Sequence, residues 1–316
     1  MNQEQIIIQS HYDQRKLVGS YYHADDPRCI LVLVHGMCEH RLRYHHFLTY
    51  LSSRNISCLM FDTRGHGESV HDKDELGYFN DTKGDAIISD LDQIINYAHT
   101  LANGLPVLLL GHSMGSLIVR TYFKQYGHKV KALIVCGSPS QNPLVPTALA
   151  LSKALQLLYG EMHRSNLMQK LIFGTYAKEF TGTLSENSWL TRNKEIVKQY
   201  DNDPLCGFTF TLNGFDNLFN LLKRTYSDPV NPLVDLNTPI LYLCGSKDPV
   251  IVSVKKWEEA INHMRSLGFK RIRAKCYDQA RHELINELNK DEVYADIYQF
   301  IDDVLTNLER ERNMHA

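Results

Sequence analysis

Residues 107–123 read VLLLGHSMGSLIVRTYF. An apolar run stops at Gly111, Ser113 stands between Gly111 and Gly115, and a second apolar stretch follows. The first run has the continuity of a strand covered on both faces, and the second has the length of a buried helix. A chain that turns so sharply from strand to helix strains the residue at the bend and points its side chain out of the sheet's carboxyl edge. Glycines on either side remove side chains that would strike the neighbouring strand and helix. Gly-x-Ser-x-Gly in this setting is a nucleophile elbow, and Ser113 is the candidate nucleophile.

Outward from this turn, short apolar runs alternate with longer helical patterns. IIIQS (6–10) and KLVGSYY (16–22) form a hairpin, and CILVLVHG (29–36) and ISCLMFD (56–62) are buried strands. PVLLLG (106–111), VKALIVCG (130–137) and PILYLCG (239–245) continue the series, and RIRAKCY (271–277) is a weaker member. Between them, RYHHFLTYLSSR (43–54) and DAIISDLDQIINYAHTLA (85–102) have helical spacing, and QFIDDVLTNLERER closes the chain as a helix with a fraying tail. Nearly all-apolar strands alternating with helices predict a mostly parallel α/β sheet with helices on both faces. The alternation fails between Gly137 and about Asn231, where the sequence is helical and holds no convincing strand. The expected organisation is a core of residues 1–137 and 231–316 with an inserted helical cap over 138–230.

Composition narrows the function classes. The 316 residues carry a net charge of −2, too small a field to gather nucleic acid. No apolar stretch approaches the length of a membrane span. The opening MNQEQIIIQS lacks the basic and apolar regions of a signal peptide, so a cytoplasmic location is expected. Seven cysteines lie scattered and unpaired, which fits a reducing compartment. No cysteine–histidine set has ligand spacing, so neither a zinc site nor any other metal or organic cofactor is expected.

A serine hydroxyl is a poor nucleophile at neutral pH and needs a base oriented by a third group. In open α/β sheets such partners sit on loops after the carboxyl ends of later strands. SKDPV after PILYLCG supplies Asp248, with Asp228 and Asp235 as rival carboxylates. DQARHELINE after RIRAKCY supplies His282. The order Ser113, Asp248, His282 is that of α/β-hydrolase enzymes. The oxyanion donors are then the backbone N–H groups of Met114, after the serine, and Met37, on the His35-Gly36 turn after CILVLV.

HGMCEHRLRYHHFLTYLSSRNISCLMFDTRGHGES (35–69) resembles the HGxxEHxxRY…FDxRGHGxS signature of the monoglyceride lipase and lysophospholipase-like α/β-hydrolases, also grouped as serine aminopeptidase-like. GHSMGS (111–116) and RHELINE (281–287) are similar to the same family, and the resemblance runs from about residue 10 to 306. It implies an α/β-hydrolase fold with a cap inserted after the sixth strand. It places the functional residues on Ser113, Asp248 and His282, with oxyanion donors at Met37 and Met114. Two positions depart from it or stand out beside it. Ser116 replaces a usual second glycine, and Cys38 lies beside the oxyanion donor as a small filler. Asp62, Arg64, Glu39 and His40 read as loop-bracing residues, His45 and His46 as an exposed helix face, and DNDPLCG (201–207) as a tie between cap and core.

In the inserted segment, PTALALSKALQLLYG (146–160) would place Leu151, Ala154, Leu155 and Leu158 on one helical face. Such a face over a nucleophile would bind an acyl chain or another greasy group, and the competing reading is ordinary packing onto the core. The expected activity is therefore hydrolysis of lipid-like carboxylic esters, of monoacylglycerol or lysophospholipid type, through an acyl-enzyme. The expected partner is a small-molecule ester, with no stable membrane anchor and only transient contact with a lipid interface. Two other readings stay open. An aminopeptidase on the same triad would need cap carboxylates, for which Glu161, Glu179, Glu186 and Glu195 are available, and a non-catalytic hydrolase fold would only bind ligand.

Overall fold

A computed structural model describes residues 3–174, 176, 180 and 185–315. Its strands are β1 (Gln3–Gln9), β2 (Lys16–Tyr22), β3 (Cys29–Val34), β4 (Ile56–Phe61), β5 (Val107–His112), β6 (Leu133–Cys136), β7 (Ile240–Gly245) and β8 (Ile272–Tyr277). They form one sheet in the order β1-β2-β4-β3-β5-β6-β7-β8. The β1–β2 hairpin runs antiparallel and pairs antiparallel with β4, and β3 to β8 are parallel. Every residue of β3, β4, β5, β6 and β7 is buried, which is why these strands read as unbroken apolar runs. β8 is an edge strand and leaves Arg273 and Ala274 exposed, so its run is broken by charge.

The helices are α1 (His45–Ser52), α2 (Asp85–Ala102), α3 (Met114–Tyr126), α4 (Val145–Tyr159), α5 (Asn166–Phe173), α6 (Lys194–Asn202), α7 (Leu212–Ser227), α8 (Val254–Ser266) and α9 (Lys290–His315). One face of the sheet buries residues of α2, α3, α7 and α8, and the other buries α1 and α9. The expected α/β-hydrolase architecture is the one observed. α9 starts well before the expected QFIDD stretch, because Val293, Tyr294 and Ile297 extend its buried face. Among the described residues no helix is long and apolar enough to cross a membrane.

The chain leaves β3 for β4 on one side and later returns to place β5 on the other. Sheets open a crevice at the carboxyl end of such a switch point. Val34 pairs with Gly111, so the loop after β3 and the turn after β5 start side by side. His112 pairs with Cys136 and Gly245 with Tyr277, which brings the loops after β6, β7 and β8 to the same edge.

Helices α4 to α7 occupy the segment between β6 and β7. Among its described residues the only β-pairing is an isolated bridge from Arg164 to Thr211. α7 is anchored on α3 of the core. Thr121 Oγ1 and Thr225 Oγ1 lie 3.0 Å apart, and buried Lys124 donates to the carbonyls of Arg224, Thr225 and Asp228. The expected inner face of α4 is corrected. Leu151 and Leu155 are partly buried, but Ala154 is exposed and Leu158 is 73% exposed. α4 packs on α7, where Ser152 Oγ donates to Leu212 O at 3.3 Å, and Val145, Ala148 and Leu149 join the apolar cluster that includes α7, while Leu158 faces outward.

Candidate active site

Ser113 lies between β5 and α3 with φ 52° and ψ −120°, a conformation that L-residues rarely adopt. Its N–H donates to Cys136 O at 2.9 Å, which anchors the turn to β6. A Cβ on Gly111 would lie 2.4 Å from Gly115 O, and one on Gly115 would lie 2.2 Å from Val34 O. Both glycines are therefore required by contact, as the elbow pattern predicts. Ser116 is fully buried, and its hydroxyl donates to Ser113 O, so it serves the first turn of α3 where a glycine could not.

The loop after β3 is held from three sides. His35 is fully buried, with Nδ1 2.7 Å from Gly36 O and Nε2 accepting from Thr63 N–H at 2.9 Å. One nitrogen donates and the other accepts, so the ring is neutral, and burial correspondingly lowers its pKa. Gly36 N–H donates to Glu39 Oε1 at 2.7 Å. A Cβ on Gly36 would lie 3.1 Å from Ser113 Cβ, so only glycine lets this loop press against the serine. Cys38 takes φ 55°, and its carbonyl accepts from Tyr200 OH and Gly207 N–H, both at 3.0 Å. Its thiol is buried and donates to Phe208 O. Among the described residues the N–H groups of Met37 and Met114 make no hydrogen bond.

Asp248 and His282 meet at the same edge. His282 Nδ1 lies 2.9 Å from Asp248 Oδ2, and both side chains are buried. Asp248 Oδ1 accepts from Val250 N–H at 2.9 Å, so the carboxylate is fixed at both oxygens. Val252, close behind, has φ 64°, an outlier for a β-branched residue, and marks strain in the acid loop. A Cβ on Gly137 would lie 3.2 Å from the His282 ring, so this glycine makes room for the imidazole. Ser113 Oγ and His282 Nε2 share no hydrogen bond, and Nε2 has no other partner among the described residues. The rival carboxylates are engaged elsewhere: Asp228 pairs with Arg224 at 3.0 Å, and Asp235 accepts from Asn237 N–H.

The middle of the elbow holds a residue whose role sequence reasoning missed. His112 Nδ1 lies 3.2 Å from Glu39 Oε1 and 3.0 Å from Tyr44 OH, while Nε2 lies 3.2 Å from His282 O. A carboxylate on one nitrogen and a carbonyl on the other call for protons on both, so the ring is an imidazolium. Burial works to lower its pKa, but the hydrogen bond and charge of Glu39 outweigh it and the pKa is raised. Glu39 also pairs with Arg43 at 2.7 Å, and Arg43 clasps both oxygens of Glu283 at 2.6 Å. The network ties the loop after β3, the elbow and the His282 loop into one unit. Its signal in the chain is the i,i+4 pair Glu39 and Arg43, but nothing local points to His112 or Glu283.

The bracing residues divide. Asp62 accepts from Arg41 N–H at 2.7 Å and pairs with the Arg41 guanidinium, so it steadies the turn after β4 against the loop after β3. Arg64 instead pairs with Asp90 and Asp13 and ties α2 to the N-terminal hairpin. His45 and His46 are both exposed. The segment 188–192 is stapled to the His282 loop. Glu283 N–H donates to Leu190 O at 2.7 Å, Arg192 pairs with Glu287 at 2.8 Å, and Arg281 donates to Ser188 O. Trp189 thereby stands 5.2 Å from the His282 ring, with Tyr176 and Phe173 behind it. Of the carboxylates expected for an amide-cleaving site, Glu161, Glu186 and Glu195 form no cluster among the described residues, and Glu179 lies outside them.

Residues 25–289 match the family model described as serine aminopeptidase, S33. The chain belongs to this family. Among its relatives, a monoacylglycerol lipase of Mycolicibacterium smegmatis is 27% identical over 87% of this chain and 89% of its own length. The phospholipase YtpA of Bacillus subtilis is 24% identical over 88% of this chain and 97% of its own. In structure, the S33 chain superimposes on a thermostable carboxyl esterase from Bacillus coagulans, solved with glycerol, at a TM-score of 0.86 and 24% identity. That match covers 96% of this chain and 99% of the other, and it confirms the fold.

Proposed function

We propose that this protein is a serine hydrolase that cleaves lipid-like carboxylic esters of the monoacylglycerol or lysophospholipid type. The observation that carries the reading is the buried 2.9 Å bond between His282 Nδ1 and Asp248 Oδ2, at the sheet edge that holds the Ser113 elbow. In this mechanism Ser113 Oγ attacks the ester carbonyl carbon and His282 Nε2 takes the hydroxyl proton. Asp248 keeps the proton on Nδ1 and stabilises the imidazolium. The N–H groups of Met37 and Met114 receive the developing oxyanion. His282 then gives its proton to the departing alcohol. Water, deprotonated by the same imidazole, hydrolyses the acyl-enzyme. No step requires a metal or an organic cofactor. The Ser113–His282 hydrogen bond, not made in the free enzyme, forms as substrate fills the crevice, since catalytic bonds of this kind are often long or unaligned before substrate binds.

The lipid-like substrate is supported by the names of the curated relatives and by the apolar surroundings of the site. Residues 138–230 act as a cap, and the aromatic wall Trp189, Tyr176 and Phe173 leads from His282 into it. On the outer side Leu157 is 89% and Leu158 73% exposed, an apolar surface suited to transient contact with aggregated lipid. Among the described residues no carboxylate cluster is gathered to hold a free α-amine, as the amide reading would need. The test is kcat/KM for a series of p-nitrophenyl and glyceryl esters of increasing acyl length against amino-acid anilides. Esters should be favoured throughout and medium or long chains over acetate. Preference for an anilide would overturn the ester assignment.

A further inference from the structure

Two segments far apart in the chain bring three metal-binding side chains together. His40 follows β3, and Asp203 and Cys206 lie in DNDPLCG between α6 and α7. An imidazole nitrogen, a carboxylate oxygen and a thiol sulfur from these three lie within 4.8 Å of one another. His40 and Cys206 are buried, and Asp203 is partly exposed. His40 Nε2 lies 2.8 Å from Asp203 Oδ2, and 163 residues separate them, so no ligand spacing is visible in the sequence.

The atoms suit a borderline-soft divalent ion. His40 Nδ1 is buried and has no partner among the described residues, so there the ring is committed to nothing beyond Asp203. Asp203 Oδ1 accepts from Leu205 N–H at 2.8 Å, which orients the carboxylate and leaves Oδ2 toward His40. The nearby Arg43 guanidinium is already paired with Glu39 and Glu283. A surface hollow lined by Glu195, Lys198, Gln199, Asn202, Asp203 and Pro204 gives solvent a path to the carboxylate.

We propose that His40, Asp203 and Cys206 form a zinc site, with water as fourth ligand, that pins the segment after α6 to the loop after β3. A neutral imidazole, a carboxylate and a thiolate balance the ion's two charges in the tetrahedral geometry zinc prefers. Binding displaces the Cys206 proton to solvent, so one proton leaves per ion and uptake strengthens as pH rises. The same loop carries Met37, so the pin would stiffen the crevice from beside. The site does not rest on the esterase reading, because uptake is read without substrate.

Cobalt(II) titration of the metal-free protein decides the matter, since a thiolate ligand produces an intense near-ultraviolet charge-transfer band and tetrahedral geometry strengthens the visible bands. Wild type should show both, bind one zinc per chain by equilibrium dialysis with elemental analysis, and melt at a higher temperature with zinc. Cys206→Ala should lose the charge-transfer band, and Asp203→Asn should bind zinc at least about tenfold more weakly. Absence of the band in wild type would overturn the proposal and needs no variant. A band that survives in Cys206→Ala would assign the metal to other thiols and overturn it equally.

Discussion

His112 Nε2 sits 3.2 Å from the backbone carbonyl of His282, while its Nδ1 faces Glu39. The residue before the candidate nucleophile thus positions the loop that carries the candidate base. Its charge is sustained by Glu39 against burial, and its pKa is raised in the folded state. A raised histidine stabilises the fold fully below its unfolded value of about 6.5, provided Glu39 is ionised, and the stabilisation fades as pH rises through the folded value. Glu39 is held well below its usual value, despite burial, by His112 and Arg43, so acid does not remove the pair until pH falls far lower. Melting curves should show wild type losing stability relative to His112→Gln as pH rises above the unfolded value and through the raised folded one. The variant should also lose about 10² in kcat through misplacement of His282. Parallel pH profiles for the two proteins would contradict the imidazolium.

Asp248→Asn keeps the shape of the acid and removes its charge. The amide then favours the wrong imidazole tautomer, and kcat for an ester should fall about 10⁴-fold. Thermal melting checks that the loss is chemical, because the side chain still can accept from Val250 N–H.

Gly115→Ala would place its Cβ 2.2 Å from Val34 O, on backbone that cannot yield. Denaturant unfolding should show a loss of about 3 kcal/mol or more, or no soluble protein. A variant as stable as wild type would mean that α3 can retreat from β3.

Ser116→Gly removes a buried hydroxyl bonded to Ser113 O. Chemical denaturation should report a loss of about 1 kcal/mol, with kcat near wild type, since the lost bond braces the helix start and does not face substrate.

What was legible in the sequence was local. β3, β4, β5 and β7 could be read because burial on both faces leaves an unbroken apolar run. Ser113 and Asp248 stand out as candidates because each follows such a run on a short loop, and His282 because it follows the weaker run of β8. Partners fixed only by tertiary contact were hidden. His112 looks like any residue inside the elbow until Glu39 and the His282 loop close on it. The meeting of His40 with Asp203 needs the segment after α6 to fold back onto the loop after β3. α4 misled for a related reason: its leucines cover most of the helix, and only its seat on α7 decides that Leu151 turns inward and Leu158 outward.

A fluorophosphonate reacts only with a serine whose proton is being drawn away, so mass spectrometry of the treated protein tests the nucleophile directly. The expected result is one adduct per chain, mapped to Ser113, absent in Ser113→Ala and formed at least about 10³-fold more slowly in His282→Ala. Ester hydrolysis by Ser113→Ala at the wild-type rate, with the adduct on another residue, would contradict the account.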